Sequence, residues 1–190
     1  MARLIRFLTI SITLALLIIQ CAPGGKEEQL KTTPTYKIVE GHAPVWEGAI
    51  AQLLAMADSM PEDMYTYRPH DSIQTFAEQL IHIAQSSKVI ANRFLKDVRP
   101  EGPAPAIDAS QITRADLKAL LKTSLRETWD IVETMSDDQL LHETCESFSG
   151  NTMSRLEGLL FVQDHLTNHK SKANLYIRVS GHQPPSYRYY

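Results

Sequence analysis

Cysteine is nearly absent from this sequence, at two in 190 residues. Cys21 sits at the end of an N-terminal apolar run, which leaves Cys145 without an internal partner if Cys21 is modified. A disulfide framework is then excluded, and the fold must rest on a packed core. Glu143 and Glu146 flank Cys145, and neighbouring acids raise a thiol pKa rather than lower it, so Cys145 reads as an ordinary residue and not as a nucleophile. A concentrated basic run is also missing, and the formal charge is −3, so nucleic acid is not an expected partner. No internal repeat or low-complexity tract stands out, and no strand of convincing length. What is present is 43% hydrophobic and 22% charged residues, a balance suited to one globular domain.

The first twenty residues are of a different material. Arg3 and Arg6 lead into an apolar run from Phe7 to Ile19, interrupted only by Thr9, Ser11 and Thr13. Such a run has the length of a signal-peptide core and is short of the roughly 20 residues that span a bilayer. It ends at Cys21, followed by the small, polar "APGGKEEQLKTTPT". The pattern resembles a bacterial lipoprotein signal, in which the cysteine is lipidated and becomes the first mature residue. Gln20 departs from the small residue usual before that cysteine; an uncleaved anchor and a soluble secreted form are the alternatives. The expected organisation is a signal peptide over 1–20, a tether over 21–39 and one domain over 40–190. The expected location is exported and membrane-anchored, on the periplasmic or cell-surface side. Removing residues 1–20 removes two of the 19 basic residues and none of the 22 acidic ones, leaving 17 − 22 = −5.

The mature part carries four helical patterns. Trp46, Ile50, Leu53, Leu54, Ala57 and Met60 recur at steps of three and four, one stripe of a helix over 43–60 that Pro61 closes. Asp71 and Gln74 form a capping-box pattern for a second helix, with its stripe through Phe76, Leu80, Ile83, Ile90 and Phe94 to about Lys96. Residues 97–112 hold three prolines and a glycine, more chain than a tight turn needs, and read as a crossover over the bundle's end. A third helix begins near Thr113 and runs through Leu117, Leu121, Leu125 and Val132 to Met135. Ser136–Gln139 suggests a short extra turn, and "HETCESFSGNT" a loop with at most a short extended piece. The last helix starts between Thr152 and Ser154, with Glu157 completing a capping box, and runs to about Val179 before Gly181. The fold class is all-α: a four-helix bundle with a long connection between helices 2 and 3.

Seven histidines occur, and three fall within helices: His82 in the second, His165 and His169 in the last. His165 and His169, four apart, share a helix face. Counting from the expected helix starts, His82 and His165 lie roughly 15–18 Å in, at one level if the helices pack side by side. Three neutral imidazoles would suit Zn²⁺, Ni²⁺, Fe²⁺ or Cu²⁺ rather than Mg²⁺ or Ca²⁺, and would leave coordination positions for water, as catalytic sites do. Polar-face or core-satisfied histidines are the other reading.

The segments "MPEDMYTYRPHDSIQTFAEQLIHIAQSSKVI" and "MSRLEGLLFVQDHLTNHKSKANLYIRVSGHQPPSY" resemble the DinB/YfiT-like family of bacterial four-helix proteins, over about residues 40–188. The shared features are Leu80-Ile81-His82-Ile83 mid-helix, the His165/His169 pair, the Tyr176-Ile177-Arg178 end, then Gly181 and Pro184-Pro185. The resemblance implies a divalent metal (Zn, Ni or Fe) held by His82, His165 and His169, and a metal-dependent hydrolase using metal-bound water. Glu78, one turn before His82, is the candidate general base, with a solvent-facing charge as its other reading. Asp164 and Asn168 point off the histidine face, and Tyr176 is expected to pack in the core. A non-catalytic metal- or small-ligand-binding lipoprotein is the alternative, and a thiol-dependent transferase a further one that export argues against. Expected partners are a small-molecule substrate or ligand and the membrane, through lipid on Cys21; a second copy of the chain, as a homodimer, is a further candidate.

Overall fold

The structure, a computed structural model, describes residues 37–188. The expected signal peptide, Cys21 and most of the expected tether lie outside these residues. Four long helices, α1 (Ile38–Ser59), α2 (Phe76–Lys96), α3 (Arg114–Glu133) and α5 (Arg155–Val179), form the bundle. A short α4 (Asp137–His142) and a hairpin of β1 (Thr144–Glu146) and β2 (Thr152–Ser154) join α3 to α5. The strands pair antiparallel, Cys145 opposite Met153, with Gly150 at φ +84° in the turn. Cys145 is buried among core residues, and burial raises its thiol pKa, in keeping with an inert role. No helix among the described residues is long and apolar enough to cross a membrane.

Hydrophobic periodicity correctly located each long helix, but three boundaries or directions differ from expectation. First, α1 begins at Ile38, ahead of Pro44, where the sequence suggested Ala43. Ile38 and Val39 pack against the core, and the Ile38 amide donates to Asp137 Oδ1 at 3.1 Å. This tertiary anchoring outweighs the hydrogen bond that Pro44 removes. The start of α1 also lies ahead of the expected domain boundary at residue 40.

Second, α2 begins at Phe76 and not at Asp71. Its N-cap is Thr75, whose hydroxyl accepts from the Glu78 amide while the Glu78 carboxylate accepts from the Thr75 amide at 2.6 Å. The next two amides, of Phe76 and Ala77, donate to the carbonyls of Tyr67 and Tyr65, both at 2.9 Å. The preceding loop thus satisfies the donors that a helix start leaves orphaned. Asp71 lies in the turn before it, beside Arg68 at 3.5 Å.

Third, residues 97–113 run the length of the bundle and do not merely cross its end. Arg114, opening α3, bonds Met60 at the close of α1, whereas Arg155, opening α5, bonds Phe94 and Asp97 at the close of α2. Ser180, just past α5, in turn reaches Met60. Hence α1 runs down, α2 and α3 run up in parallel, and α5 runs down. Parallel neighbours need a return segment of about 30 Å, the length of α2, and 17 extended residues reach well beyond that. The return runs beside α2, where Gln85 Nε2 donates to the Pro105 carbonyl at 2.6 Å.

The core fills the space between these helices with Trp46, Leu53, Phe76, Leu80, Phe94, Leu121 and Leu166, all fully enclosed. At the upper end α2 and α5 approach closely at Gly158, where a Cβ would stand 2.7 Å from the Phe94 Cβ. Gly158→Ala should therefore lower stability by about 1–3 kcal/mol through overpacking, although alanine favours an isolated helix by up to about 1 kcal/mol. Chemical denaturation checks this, and an unchanged or raised midpoint would refute the close approach.

Candidate metal centre

The antiparallel pairing of α2 and α5 brings the three helical histidines together. His82 lies two turns inside α2, about 9 Å from its start, because that helix begins later than the sequence suggested. His165 and His169 lie one turn apart on the face of α5 that packs on α2. One nitrogen from each ring falls in a set whose members are all within 4.8 Å of one another. Ring centroids are 4.4 Å apart for His82 and His169, 4.7 Å for His165 and His169, and 5.1 Å for His82 and His165. Among the described residues this is the one group of three or more metal-ligating side chains so placed.

The donor set fits a divalent transition ion. His82 Nε2 and His165 Nε2 lie 3.1 Å apart, close to the ~3.3 Å edge of a tetrahedron with metal–nitrogen bonds of about 2.05 Å. His169 Nδ1 donates to Gln79 Oε1 at 2.6 Å. An amide oxygen only accepts, so this bond places the proton on Nδ1 and leaves the Nε2 lone pair for an ion. Gln79 is 3% exposed and lies one turn before His82. The Ser86 hydroxyl, one turn after His82, donates to the His82 carbonyl at 2.6 Å and lies 2.9 Å from His165 Nε2. Phe161 stacks on His165, with ring planes 13° apart and centroids at 6.3 Å.

The electrostatics keep the imidazoles neutral, as ligands must be. Burial is the first cause for all three, pushing His82 and His165 below the ordinary value of 6.5 and His169 down to about 4. Mutual repulsion and the nearby Lys172 ammonium add to this, and Asp164 opposes it weakly at His165.

The other candidates fall elsewhere. Glu78 closes the capping box of its own helix, so its carboxylate is held at the start of α2 and away from the histidine cluster. Asp164 and Asn168 are exposed. Tyr176 is buried in the core, where burial raises its hydroxyl pKa and Gln79 lowers it. His42 stacks between elements near Trp129, His70 bonds Ser72, His142 sits beside Asp138 and His182 beside Met64. Sequence reasoning missed Gln79 and Ser86. Their spacing of three before and four after His82 places both on its face, and that spacing was the available signal.

Residues 39–190 match the sequence profile of the DinB family. The chain is 30% identical to the Bacillus subtilis protein YjoA over 129 residues, 67% of this chain and 80% of that one. The crystal structure of that DinB-like protein superposes with a TM-score of 0.62 at 22% identity, covering 77% of this chain and 96% of the other. A DinB-like protein from Bacillus cereus superposes with a TM-score of 0.64 at 15% identity, covering 80% and 98%.

A pH dependence follows from the depressed His169 pKa. The unfolded chain takes up a proton near 6.5 that folded His169 refuses until about 4. Between these values the unfolded state binds more protons, so stability falls as pH falls, by about 3 kcal/mol for this group. Denaturation of chelator-treated protein across pH 4–7.5 should show this slope, shallower in His169→Gln; identical slopes would contradict the assignment.

Proposed function

This chain belongs to the DinB family, and we propose that it is an exported, metal-dependent hydrolase acting on a small molecule, with His82, His165 and His169 as metal ligands. The observation that carries the reading is the convergence of three neutral imidazole nitrogens within 4.8 Å, one of them fixed in tautomer by a buried amide. A divalent ion held there supplies Lewis acidity and brings the pKa of a coordinated water toward ~7. The chain's own residues supply the rest. Gln79 orients His169 so that its lone pair faces the cluster. The Ser86 hydroxyl offers a hydrogen-bonding group at the cluster's edge, within reach of a bound substrate. Lys172 contributes positive potential that favours a substrate carrying or developing negative charge. Phe161, 39% exposed against His165, presents an apolar wall to the substrate's non-reacting part.

Elemental analysis of tag-free protein should find about one equivalent of zinc, nickel or iron per chain, lost in His82→Ala. Gln79→Leu should weaken the metal affinity about 10–100-fold while leaving the fold intact. Across ester, amide and phosphate substrates, metal-restored turnover should vanish in His165→Ala. Retained metal with no turnover on any substrate would replace the hydrolase reading with a binding one, and absence of metal would remove both.

We also propose that residues 1–20 are a lipoprotein signal and that Cys21 carries the lipid anchoring the domain to a membrane. The basic start, apolar run and small polar tether support this reading. In a bacterial host, labelled palmitate should enter the wild type and not Cys21→Ala, and the label should follow the membrane fraction. An unlabelled chain recovered with cytosolic markers would refute export.

A further inference from the structure

A well-formed cavity of the described domain lies away from the histidine cluster. It measures about 680 Å³ and lies on the opposite face of α5, between α5, α1 and the segment after α5. That volume is within the range of small-molecule pockets. It exists because α1 and α5 touch far less than α2 and α5 do, and because the chain after Gly181 folds back along the gap instead of filling it. Gln52 pins that return, its Nε2 donating to the Ser186 carbonyl at 3.3 Å.

The charges lining the cavity are of one sign. Lys170, Arg178 and Arg188 contribute three cations, and no aspartate or glutamate lines it. Lys170 is 9% exposed, and burial alone, with no hydrogen-bond or charge partner among the described residues, acts on its ammonium. Its side chain is largely enclosed, burial disfavours its charged form, and an anion placed at its ammonium would offset that cost. Gln52 is 3% exposed, and its Oε1 is buried without a partner. It cannot be relieved by turning the amide over, since the Ser186 carbonyl requires a donor on the other side. Val45, Met56, Leu160 and Leu175 form the apolar part of the wall. One-signed charge beside apolar surface describes a receptor for an amphipathic anion, and the unpaired Gln52 Oε1 calls for a donor on the same ligand.

We propose that this cavity is a second binding site, independent of the metal centre, for a small organic anion: a carboxylate or phosphate head paired with Lys170 and an apolar body against Leu160, Leu175 and Met56. The protonated form of the acid, or a hydroxyl at that end, would also offer a donor to Gln52 Oε1, but only an anion compensates the lysine. Arginines at the rim, Arg178 and Arg188, draw the head inward. The site does not depend on the hydrolase reading, because its residues face away from the imidazoles.

Calorimetric titration of chelator-treated, tag-free protein with octanoate, octyl phosphate and octanol tests the proposal. At least one of the two anions should bind ten-fold or more tightly than octanol, and which one does identifies the head. Lys170→Met, close in volume, should weaken that anion at least ten-fold and leave octanol unchanged. Leu175→Glu, at a half-exposed position, introduces a carboxylate at the cavity wall and should weaken the anion similarly even if Lys170→Met folds poorly. His165→Ala should bind as the wild type does. Equal affinity for octanol and both anions, no binding at all, full affinity in both cavity variants, or loss of binding in His165→Ala would each overturn the proposal.

Discussion

The register of α5 on α2 is the constraint from which the metal centre follows. Arg155, 9% exposed, sets it at the first residue of α5: its guanidinium bonds Asp97 at 2.6 Å, Glu143 at 2.7 Å and the Phe94 carbonyl at 3.2 Å. A nearly buried arginine is tolerated only where its donors are met, and here the partners come from the end of α2 and the strand approach to α5. One turn along, Gly158 allows the backbone of α5 to come against Phe94. These two contacts fix both the level and the separation of the helices. Everything further down the pair inherits them, so His82 meets His165 and His169 about 18 Å away along α2 with no loop involved. A site built across two helices in this way is more rigid than one carried on connecting segments.

The parts of the structure legible in sequence are those governed by local periodicity. The stripes through Trp46–Met60, Phe76–Phe94, Leu117–Val132 and Leu156–Ile177 are one-face patterns that survive any packing, and the capping boxes at Ser136 and Ser154 are local too. The His165/His169 spacing belongs to the same class; His82 joined it only through an assumed side-by-side packing of the two helices and through the family resemblance. What was not legible depended on distant partners. Asp71-Gln74 and Thr75-Glu78 are equally good capping patterns, and the carbonyls of Tyr65 and Tyr67 decide between them. The same choice commits the Glu78 carboxylate to the helix start, where it accepts from the Thr75 amide and is not among the grouped metal-ligating side chains. The direction of α3 relative to α2 was equally hidden, since a proline-rich connection of that length fits either direction.

Helix α5 separates two polar environments that would interfere if they shared a face. Toward α2 it presents imidazoles kept uncharged by burial and by Lys172. Away from α2 it presents Lys170 and, two turns on, Arg178. His169 and Lys170 are adjacent in sequence yet lie on different sides of the helix, because successive residues are rotated by about 100°. The mixed polarity around α5 also explains why its apolar stripe is the least distinct of the four. It is a helix with two occupied faces, and the remaining surface is what solvent sees.

The stack of His42, Trp46 and Trp129 gives the molecule a built-in optical reporter. These are the chain's only two tryptophans, 0% and 2% exposed, with ring centroids 6.0 Å apart, and the His42 ring lies 6.0 Å from Trp129. Tryptophan emission therefore originates from a single locus between α1 and α3. His42 also lines the cavity on the far side of α5, so light absorbed at that locus samples the cavity's edge and leaves the histidine cluster unseen.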